Sequence, residues 1–294
     1  MKIVVLTDSN SGITQAEAKE LGVRVIPMPF FIDGEEFLED ITLTQEGFYK
    51  KLESGANVST SQPSIGFVAN AWDELLQNND YIIYIPMSSG LSKSFESAYN
   101  LSQSEEYLNK VFVINNQRIS VTQKESVICA LEMVKAGYDV NTIVDKLMEY
   151  KFNSDIFIMV DTLTYLKKGG RITPAAAALG GFLKLKPILL IKGEKLDSFR
   201  MRNRTLENAK AIMIKSIKDI KEGYMKEIDG KTDNVEISVA YSGTDKTNAL
   251  IFKDEIEKEL GVSVKYVDPL SLSVSCHIGP GALAIAITKK FDIW

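Results

Sequence analysis

The sequence has few of the residues that bind metals or form disulfides. Its 294 residues include a single histidine, His277, and two cysteines, Cys129 and Cys276, which lie far apart in the chain. A structural zinc site needs more ligands than these, and a fold stabilised by several disulfides needs more cysteines. We therefore expect no metal site, no disulfide framework and no cofactor.

Long apolar runs and blocks of basic residues are also missing. The apolar run that opens the chain is too short for a signal peptide, and the longest weakly polar run, residues 175–183, is too short to span a bilayer. The formal net charge is −5, and the sequence has no basic block or RNA-binding signature. These absences predict a cytoplasmic protein with no transmembrane segment and no nucleic-acid partner.

What is present is typical of a globular α/β protein. Hydrophobic residues make up 45% of the chain and charged residues 25%, and the length is sufficient for two domains. Up to residue 160, short apolar runs alternate with helical patterns, which predicts a mostly parallel sheet with helical crossovers. Later in the chain, a hairpin around Gly193-Glu194, a long helix and further strands predict a mixed sheet with helices. We expect an N-terminal α/β domain over residues 1–162 and a C-terminal α/β domain over residues 163–294.

Two loops of the first half are rich in hydroxyl groups. Residues 59–64 lead into a helix that Ser64 would cap, and residues 88–94 connect a buried-looking strand to the next helix. In parallel sheets, ligands bind beyond the carboxyl ends of the strands, which is where such loops lie. Serine at a helix start is most often a simple cap, so a structural role remains the alternative for both loops.

The segment over residues 161–193 combines a turn, a basic residue and a helix of small residues. Gly169-Gly170 can end a helix in a left-handed cap, which places Arg171 on a turn. Thr173 is then the N-cap of a helix with Pro174 in its first position, followed by an alanine run. A guanidinium beside a helix N-terminus favours an anion. A tight helix contact and an ordinary surface arginine are the alternative.

Residues 276–281 are predicted to form a loop before the last strand. Cys276 and His277 are adjacent, so in an extended chain they would point to opposite faces and could not act as a pair. No G-x-S-x-G or Walker sequence is present. The residues thus favour anion capture without an obvious catalyst, although His277 with a nearby serine remains possible, as does a purely structural histidine.

Several short motifs, taken in order, resemble those of the DegV family. Its members bind fatty acids, and in some bacteria they serve as the acyl-carrying subunit of a fatty acid kinase. The motifs extend over nearly the full chain; singly they are weak and jointly they are specific. They are Thr7-Asp8-Ser9, residues 60–64, Ser88 with Leu91-Ser92, residues 163–188, Arg204-Thr205, and residues 277–282.

This resemblance implies a lipid cleft between two α/β domains. Carried over by position, it implies that a long-chain fatty acid binds there, with its carboxylate held by Thr60, Ser61, Ser92, Arg171 and His277, and with Asn116 and Gly281 as head-group neighbours. A separate kinase subunit would supply the ATP chemistry, and this chain would be a lipid-binding subunit and not a catalyst.

The chain departs from the DegV family pattern at two places. Lys93-Ser94 stands where the family usually has Gly-Thr, and Asn115-Asn116 stands where it has Asp-Ser. A lysine at this position either contacts the anion or has a solvated side chain, and we favour the solvated side chain.

Two further questions remain open from the sequence. Arg200, Arg202 and Arg204 alternate along a strand and its exit, so they either dock an acidic partner or form a solvated sheet edge. The alternatives to fatty acid binding are a stand-alone hydrolase or transferase that uses His277 with a nearby serine, and a sensor of a small polar anion.

Overall fold

A computed structural model describes residues 2–178, 185–193, 195–227 and 235–290. Within these ranges the strands form a four-stranded, a three-stranded and a six-stranded sheet. The strands are β1 (Ile3–Asp8), β2 (Arg24–Ile26), β3 (Pro29–Ile32), β4 (Glu35–Leu38), β5 (Val58–Thr60), β6 (Tyr81–Ile85), β7 (Val111–Val113), β8 (Ser154–Met159), β9 (Ile188–Ile191), β10 (Asp197–Arg200), β11 (Val235–Tyr241), β12 (Val264–Pro269) and β13 (Leu283–Lys289).

Helices cover the faces of the sheets and connect their strands. Their caps follow local rules: the Ser64 hydroxyl accepts from the backbone N–H three residues later, as predicted, and the Thr44 hydroxyl does the same. The helices are α1 (Gln15–Leu21), α2 (Gln45–Glu53), α3 (Ile65–Leu76), α4 (Ser94–Ser102), α5 (Val121–Lys135), α6 (Val140–Glu149), α7 (Thr164–Gly169), α8 (Pro174–Ala178), α9 (Leu206–Glu227), α10 (Thr247–Leu260) and α11 (Leu272–Ile278).

The four-stranded sheet is parallel throughout and has the order β2-β1-β6-β7. Its central strands are buried by helices on both faces, so they consist of nearly continuous apolar residues. The predicted parallel sheet of the N-terminal part is confirmed. All four strands point the same way, and the loops after β1, β2 and β6 therefore lie along one edge.

A small antiparallel sheet, with the order β4-β3-β5, was not predicted. Its central strand, β3, is separated from β2, an edge of the parallel sheet, by Pro27 and Met28. Proline lacks the N–H that a ladder needs, so a strand can begin at Pro29 but cannot continue through the pair of prolines.

The six-stranded sheet is mixed, with the order β10-β9-β8-β13-β11-β12, and only its β11–β12 pair is parallel. This confirms the predicted mixed sheet of the C-terminal part. Strand β8 pairs with β9 and β13, so the sheet begins at Ser154, ahead of the boundary expected after residue 162. The division at that residue stays a prediction.

Helix α5 joins the parallel sheet to the six-stranded sheet. The Nζ of Lys124 is 2.8 Å from a carboxylate oxygen of Glu17 on α1 and 2.9 Å from one of Asp268 on β12. The lysine side chain is only 4% exposed, so both carboxylates compensate the charge where water cannot. The two sheets are thereby fixed on either side of the space described below.

Helix α11 was not predicted, and its last three residues lie in the range 276–281 that the sequence predicts to be a loop. The Leu272 N–H donates to Glu39 at 2.9 Å, Gln45 Nε2 donates to the Leu270 carbonyl, and Tyr49 O–H lies 2.8 Å from Ser275 Oγ. Glu39 directly follows β4 of the small sheet, and Gln45 and Tyr49 belong to α2. This helix of the C-terminal part is therefore held against the N-terminal part of the chain.

Two predicted features fall partly outside the described residues. The helix expected over residues 175–183 is described as far as Ala178, and the hairpin turn at Gly193-Glu194 is described as far as Gly193. The strands of that hairpin, β9 and β10, pair antiparallel as predicted. Across the described ranges, no helix is both long enough and apolar enough to cross a membrane.

Candidate functional site

A cavity of about 350 Å³ lies between the edge of the parallel sheet and one face of the six-stranded sheet. This volume is in the usual range of small-molecule sites, about 300–1,000 Å³. Most of the wall is apolar, and it comes from both parts of the chain. The apolar lining residues are Met28, Met87, Leu91, Ile119, Val121, Ile156, Ile158, Leu166, Ile191, Leu196, Ala240, Leu270, Val274, Ile278 and Ala284.

All five residues predicted to hold a carboxylate line this cavity. They come from four separate segments: Thr60 and Ser61 at the end of β5, Ser92 in the loop before α4, Arg171 after α7, and His277 on α11. The structure therefore brings together side chains that are up to 217 positions apart in the sequence. We call these five residues the head-group cluster.

His277 lies on the last turn of α11, so its predicted place in a loop is wrong. The ring Nε2 is 2.8 Å from Thr60 Oγ1, and Nδ1 is buried with no hydrogen-bond partner among the described residues. Burial and the nearby positive charge of Arg171 lower the pKa of His277 from 6.5 to about 4. The ring is therefore neutral near pH 7.

The ring of His277 packs directly against the backbone of α7. A Cβ atom at Gly169 would lie 1.9 Å from Nδ1 of the ring, a separation that no side chain can have. The next residue, Gly170, ends α7 at φ 68°, as predicted for a left-handed cap. The first glycine of the pair thus makes space for the histidine, and the second turns the chain so that Arg171 reaches the cavity.

Arg171 is fixed by backbone carbonyl groups. Its Nε donates to the Leu91 carbonyl at 3.2 Å, and its Nη1 donates to the Gly169 carbonyl. Nη2 has no partner among the described residues. Because a guanidinium has five N–H donors in one plane, the remaining donors are available to an anion in the cavity.

The hydroxyls of Ser61 and Ser92 already have local partners. Ser92 Oγ is 2.8 Å from Ser94 Oγ and accepts from the Ser94 N–H, and Ser61 Oγ donates to the Gln62 carbonyl. The Nζ of Lys93 lies 2.8 Å from Glu96, and the lysine side chain is 74% exposed. This agrees with the solvated side chain favoured for Lys93, where the sequence departs from the DegV family pattern.

Asn116 and Gly281, expected as head-group neighbours, do not line the cavity. Asn116 is 1% exposed, and neither atom of its amide has a partner within the described ranges. Gly281 adopts φ 81° in the turn after α11, where its N–H donates to the Ser242 carbonyl and its Cα faces Asp161. This turn directs it to a separate, smaller space that Asp161 and Lys186 also border.

The motif Thr7-Asp8-Ser9 supports the cavity and does not line it. Thr7 Oγ1 donates to the Ile85 carbonyl, Asp8 accepts from the Met87 N–H, and Ser9 Oγ accepts from the Met28 N–H. Burial raises the pKa of Asp8 to about 6. The motif therefore ties together the three loops at the edge of the parallel sheet.

Besides Gln62 and Lys93, which are sequence neighbours of predicted residues, the lining includes three polar residues that sequence reasoning missed: Asn10, Ser120 and Ser273. Ser273 could have been found, because Leu272 and Cys276 are apolar residues one helical turn apart after a serine. That pattern indicates a short helix with Ser273 and His277 on a common face. No comparable local signal exists for Asn10 or Ser120.

The surroundings of His277 differ from those of a general base. The hydroxyl bonded to it is that of Thr60 and not of a serine, and no carboxylate of the described residues is bonded to Nδ1. A nucleophile–base–orienter arrangement needs that third group. A low pKa further weakens a base at neutral pH.

Acid is expected to destabilise the protein through His277. The ring titrates near pH 6.5 in the unfolded chain and near pH 4 in the folded one. Above about pH 6.5 the neutral ring therefore contributes about 3 kcal/mol to the free energy of unfolding. This contribution is lost as the pH falls towards 4. Urea unfolding of the ligand-free protein from pH 7 to pH 4 should show this loss in the wild type and not in His277→Gln. Parallel pH profiles of the two proteins would contradict it.

Comparison with known proteins finds relatives that all belong to one family. Residues 2–290 match the model of the DegV family, which is described as a family of uncharacterised proteins. One DegV domain-containing protein of Staphylococcus aureus is 30% identical over 294 residues, covering 98% of this chain and 99% of its own. Another is 31% identical over 297 residues, covering 99% and 98%.

Solved structures have the same fold over the whole chain. A fatty-acid-binding DegV family protein of Thermus thermophilus superposes with a TM-score of 0.87 at 27% identity, covering 98% of this chain and 100% of its own. DegV of Bacillus subtilis, a fatty acid binding protein, gives 0.83 at 26% identity, covering 99% and 100%. A stearic-acid-binding protein of Eubacterium ventriosum gives 0.88 at 23% identity, covering 99% of both chains, and this likeness shows the fold alone.

Proposed function

Since this chain belongs to the DegV family, we propose that it binds a long-chain fatty acid in the cavity between the two sheets. The observation that carries the proposal is the cavity itself, which is mostly apolar and has the head-group cluster among its lining residues. Two similar proteins of this fold are fatty acid binders, which supports the same role here.

The two parts of such a ligand would contribute differently. Each methylene group buried is worth about 0.8 kcal/mol, so about fifteen of them give an upper limit near 12 kcal/mol before the costs of association. The apolar wall therefore provides affinity. The carboxylate costs free energy to bury, and it needs charge and hydrogen bonds to stay ionised. The head-group cluster provides orientation.

The donors of the head-group cluster suit a carboxylate. Arg171 has unpaired N–H groups, and the hydroxyls of Thr60, Ser61 and Ser92 can turn from their present partners to an oxygen. A carboxylate beside His277 favours the charged ring, so we expect binding to raise the pKa of His277 from its low value.

Mass spectrometry of the small molecules released from the purified, denatured protein tests this function. We expect one long-chain fatty acid per chain, because a mostly apolar cavity keeps such a ligand through purification. A protein that is empty as purified, and still empty after incubation with fatty acids, would contradict the proposal. In that case a small polar anion at the head-group cluster becomes the leading alternative.

We further propose that this chain presents the bound fatty acid to a separate ATP-dependent kinase subunit. The absence of a Walker sequence in the chain supports a division of labour. Arg200, at the end of the edge strand β10, and Arg202 and Arg204 after it are exposed and offer a basic surface for an acidic partner. Exchanging the three for glutamate should preserve fatty acid binding and abolish acyl phosphate formation in the reconstituted system. Unchanged turnover would show that this surface is a solvated edge.

A further inference from the structure

The cavity contains a second group of polar side chains, apart from the head-group cluster. Asn10, Ser120 and Ser273 all line it, and they are only 2%, 6% and 5% exposed. Asn10 is bonded to both serines, because the Ser120 N–H donates to the Asn10 carbonyl at 2.8 Å and Ser273 Oγ donates to Asn10 Oδ1. We call them the inner polar group.

Ser120 is the exceptional member of this group. It occupies the N-cap position of α5, but its hydroxyl makes no capping hydrogen bond to the helix. Its backbone lies at φ 56°, ψ −139°, a region that residues other than glycine rarely adopt. Since Ser120 lines the cavity, a ligand that displaces water from its hydroxyl has to replace the lost hydrogen bonds.

The hydrogen-bond donors and acceptors that the inner polar group has not used determine what it can bind. Asn10 Oδ1 already accepts from both Ser271 and Ser273, so it is saturated. Ser273 Oγ uses its proton in that bond and can still accept, whereas Ser120 Oγ can both donate and accept. A ligand group that donates to Ser273 and accepts from Ser120 would satisfy both residues. A hydroxyl is the simplest such group.

The inner polar group lies close to the place where the carboxyl end of a bound acyl chain is expected. Ser273 and His277 are four residues apart on α11, so they share a face and lie about 6 Å apart along its axis. A chain whose carboxylate reaches His277 would therefore pass Ser273 within its first few carbons.

We propose that the inner polar group is a specificity site for a hydroxyl carried near the carboxyl end of the acyl chain, so that the preferred ligand class is hydroxylated fatty acids. This inference rests on the proposed fatty acid binding. A plain chain would place methylene groups against the Ser120 hydroxyl and leave it unpaired, while a suitably placed hydroxyl would pair with it. The expected preference is about tenfold in affinity.

Competition binding with three ligands tests this preference. The lipid-free protein is titrated with hexadecanoate, 3-hydroxyhexadecanoate and 16-hydroxyhexadecanoate, and the wild type should bind the 3-hydroxy acid about tenfold more tightly than either of the others. In Ser120→Ala this ratio should fall close to one. Ser120→Gly should behave in the same way while keeping the fold, because glycine adopts positive φ without strain. Ser216→Ala, on α9, is the control and should keep the wild-type ratio.

The outcomes separate this inference from the proposed function. Tight binding of hexadecanoate with a ratio near one in the wild type would overturn the specificity site and leave fatty acid binding intact. A preference that persists in both Ser120 variants would also overturn it. If none of the three ligands binds, fatty acid binding fails and the specificity site fails with it.

Discussion

Replacing Arg171 with alanine should lower the affinity for hexadecanoate by at least about thirtyfold. Truncating one partner of a buried, hydrogen-bonded charge pair costs about 2–5 kcal/mol, because the other charge stays buried without compensation. Among the residues lining the cavity, Arg171 has a guanidinium whose position two carbonyl groups fix and whose other donors are unpaired. Titration of the lipid-free variant with hexadecanoate measures the loss.

Three comparisons make this experiment specific. Arg171→Lys keeps the charge but not the planar set of donors, so we expect an intermediate loss of about tenfold. Arg24→Ala removes an exposed guanidinium that pairs with Glu74 and should have no effect. The methyl ester of hexadecanoate, which carries no charge, should bind the wild type and Arg171→Ala equally. Wild-type affinity of Arg171→Ala for the free acid would place the carboxylate elsewhere.

The fold was predictable from sequence wherever local rules decide it. Strand β6 is a continuous apolar run, and the caps at Thr44 and Ser64 depend on residues only three positions away. Helix α11 depends instead on Glu39, Gln45 and Tyr49, which precede it by more than 200 positions. Within residues 272–278 the spacing of Leu272 and Cys276 is a weak sign of a helix, and nothing in the segment indicates those distant partners, so the sequence predicts a loop over residues 276–281.

The candidate site was predictable as a set of residues but not as an arrangement. The motifs shared with the DegV family predict Thr60, Ser61, Ser92, Arg171 and His277, and the structure places all of them at the cavity. Their role as carboxylate ligands stays a prediction. The order of those motifs does not say which way a neighbouring residue turns. Gly281 follows His277 closely but leaves the cavity, because positive φ in the turn directs the chain towards Asp161.

The inner polar group shows a different limit of sequence reasoning. The Asn10 carbonyl accepts from Ser120, and the Asn10 side chain accepts from Ser273, so three distant segments meet at one residue. The backbone of Ser120 has positive φ although it is not glycine, and glycine is the usual sequence signal for such a conformation. Tertiary contacts and not local preference hold this conformation, which is why the sequence contains no sign of it.

Replacing Gly169 with alanine should destabilise the protein and disrupt the head-group cluster. The added methyl group would lie 1.9 Å from Nδ1 of His277, so the ring must leave its place and its hydrogen bond to Thr60 Oγ1. Overpacking of this kind costs about 1–3 kcal/mol, against a gain of up to about 1 kcal/mol for alanine in a helix. Thermal unfolding measures the stability, and hexadecanoate titration measures the loss of affinity.

A double-mutant cycle identifies the histidine ring as the cause of that loss. In a His277→Ala background the ring is absent, so Gly169→Ala should be neutral or stabilising, and the two substitutions should show a coupling of about 1–3 kcal/mol. Gly66→Ala, in the first turn of α3, is the matched control, because a Cβ there meets no atom within 4 Å and should raise stability slightly. An equal penalty for Gly169→Ala in both backgrounds would mean that the glycine serves the helix end and not the ring. In that case the close approach of α7 to α11 would not be what positions His277 beside Thr60.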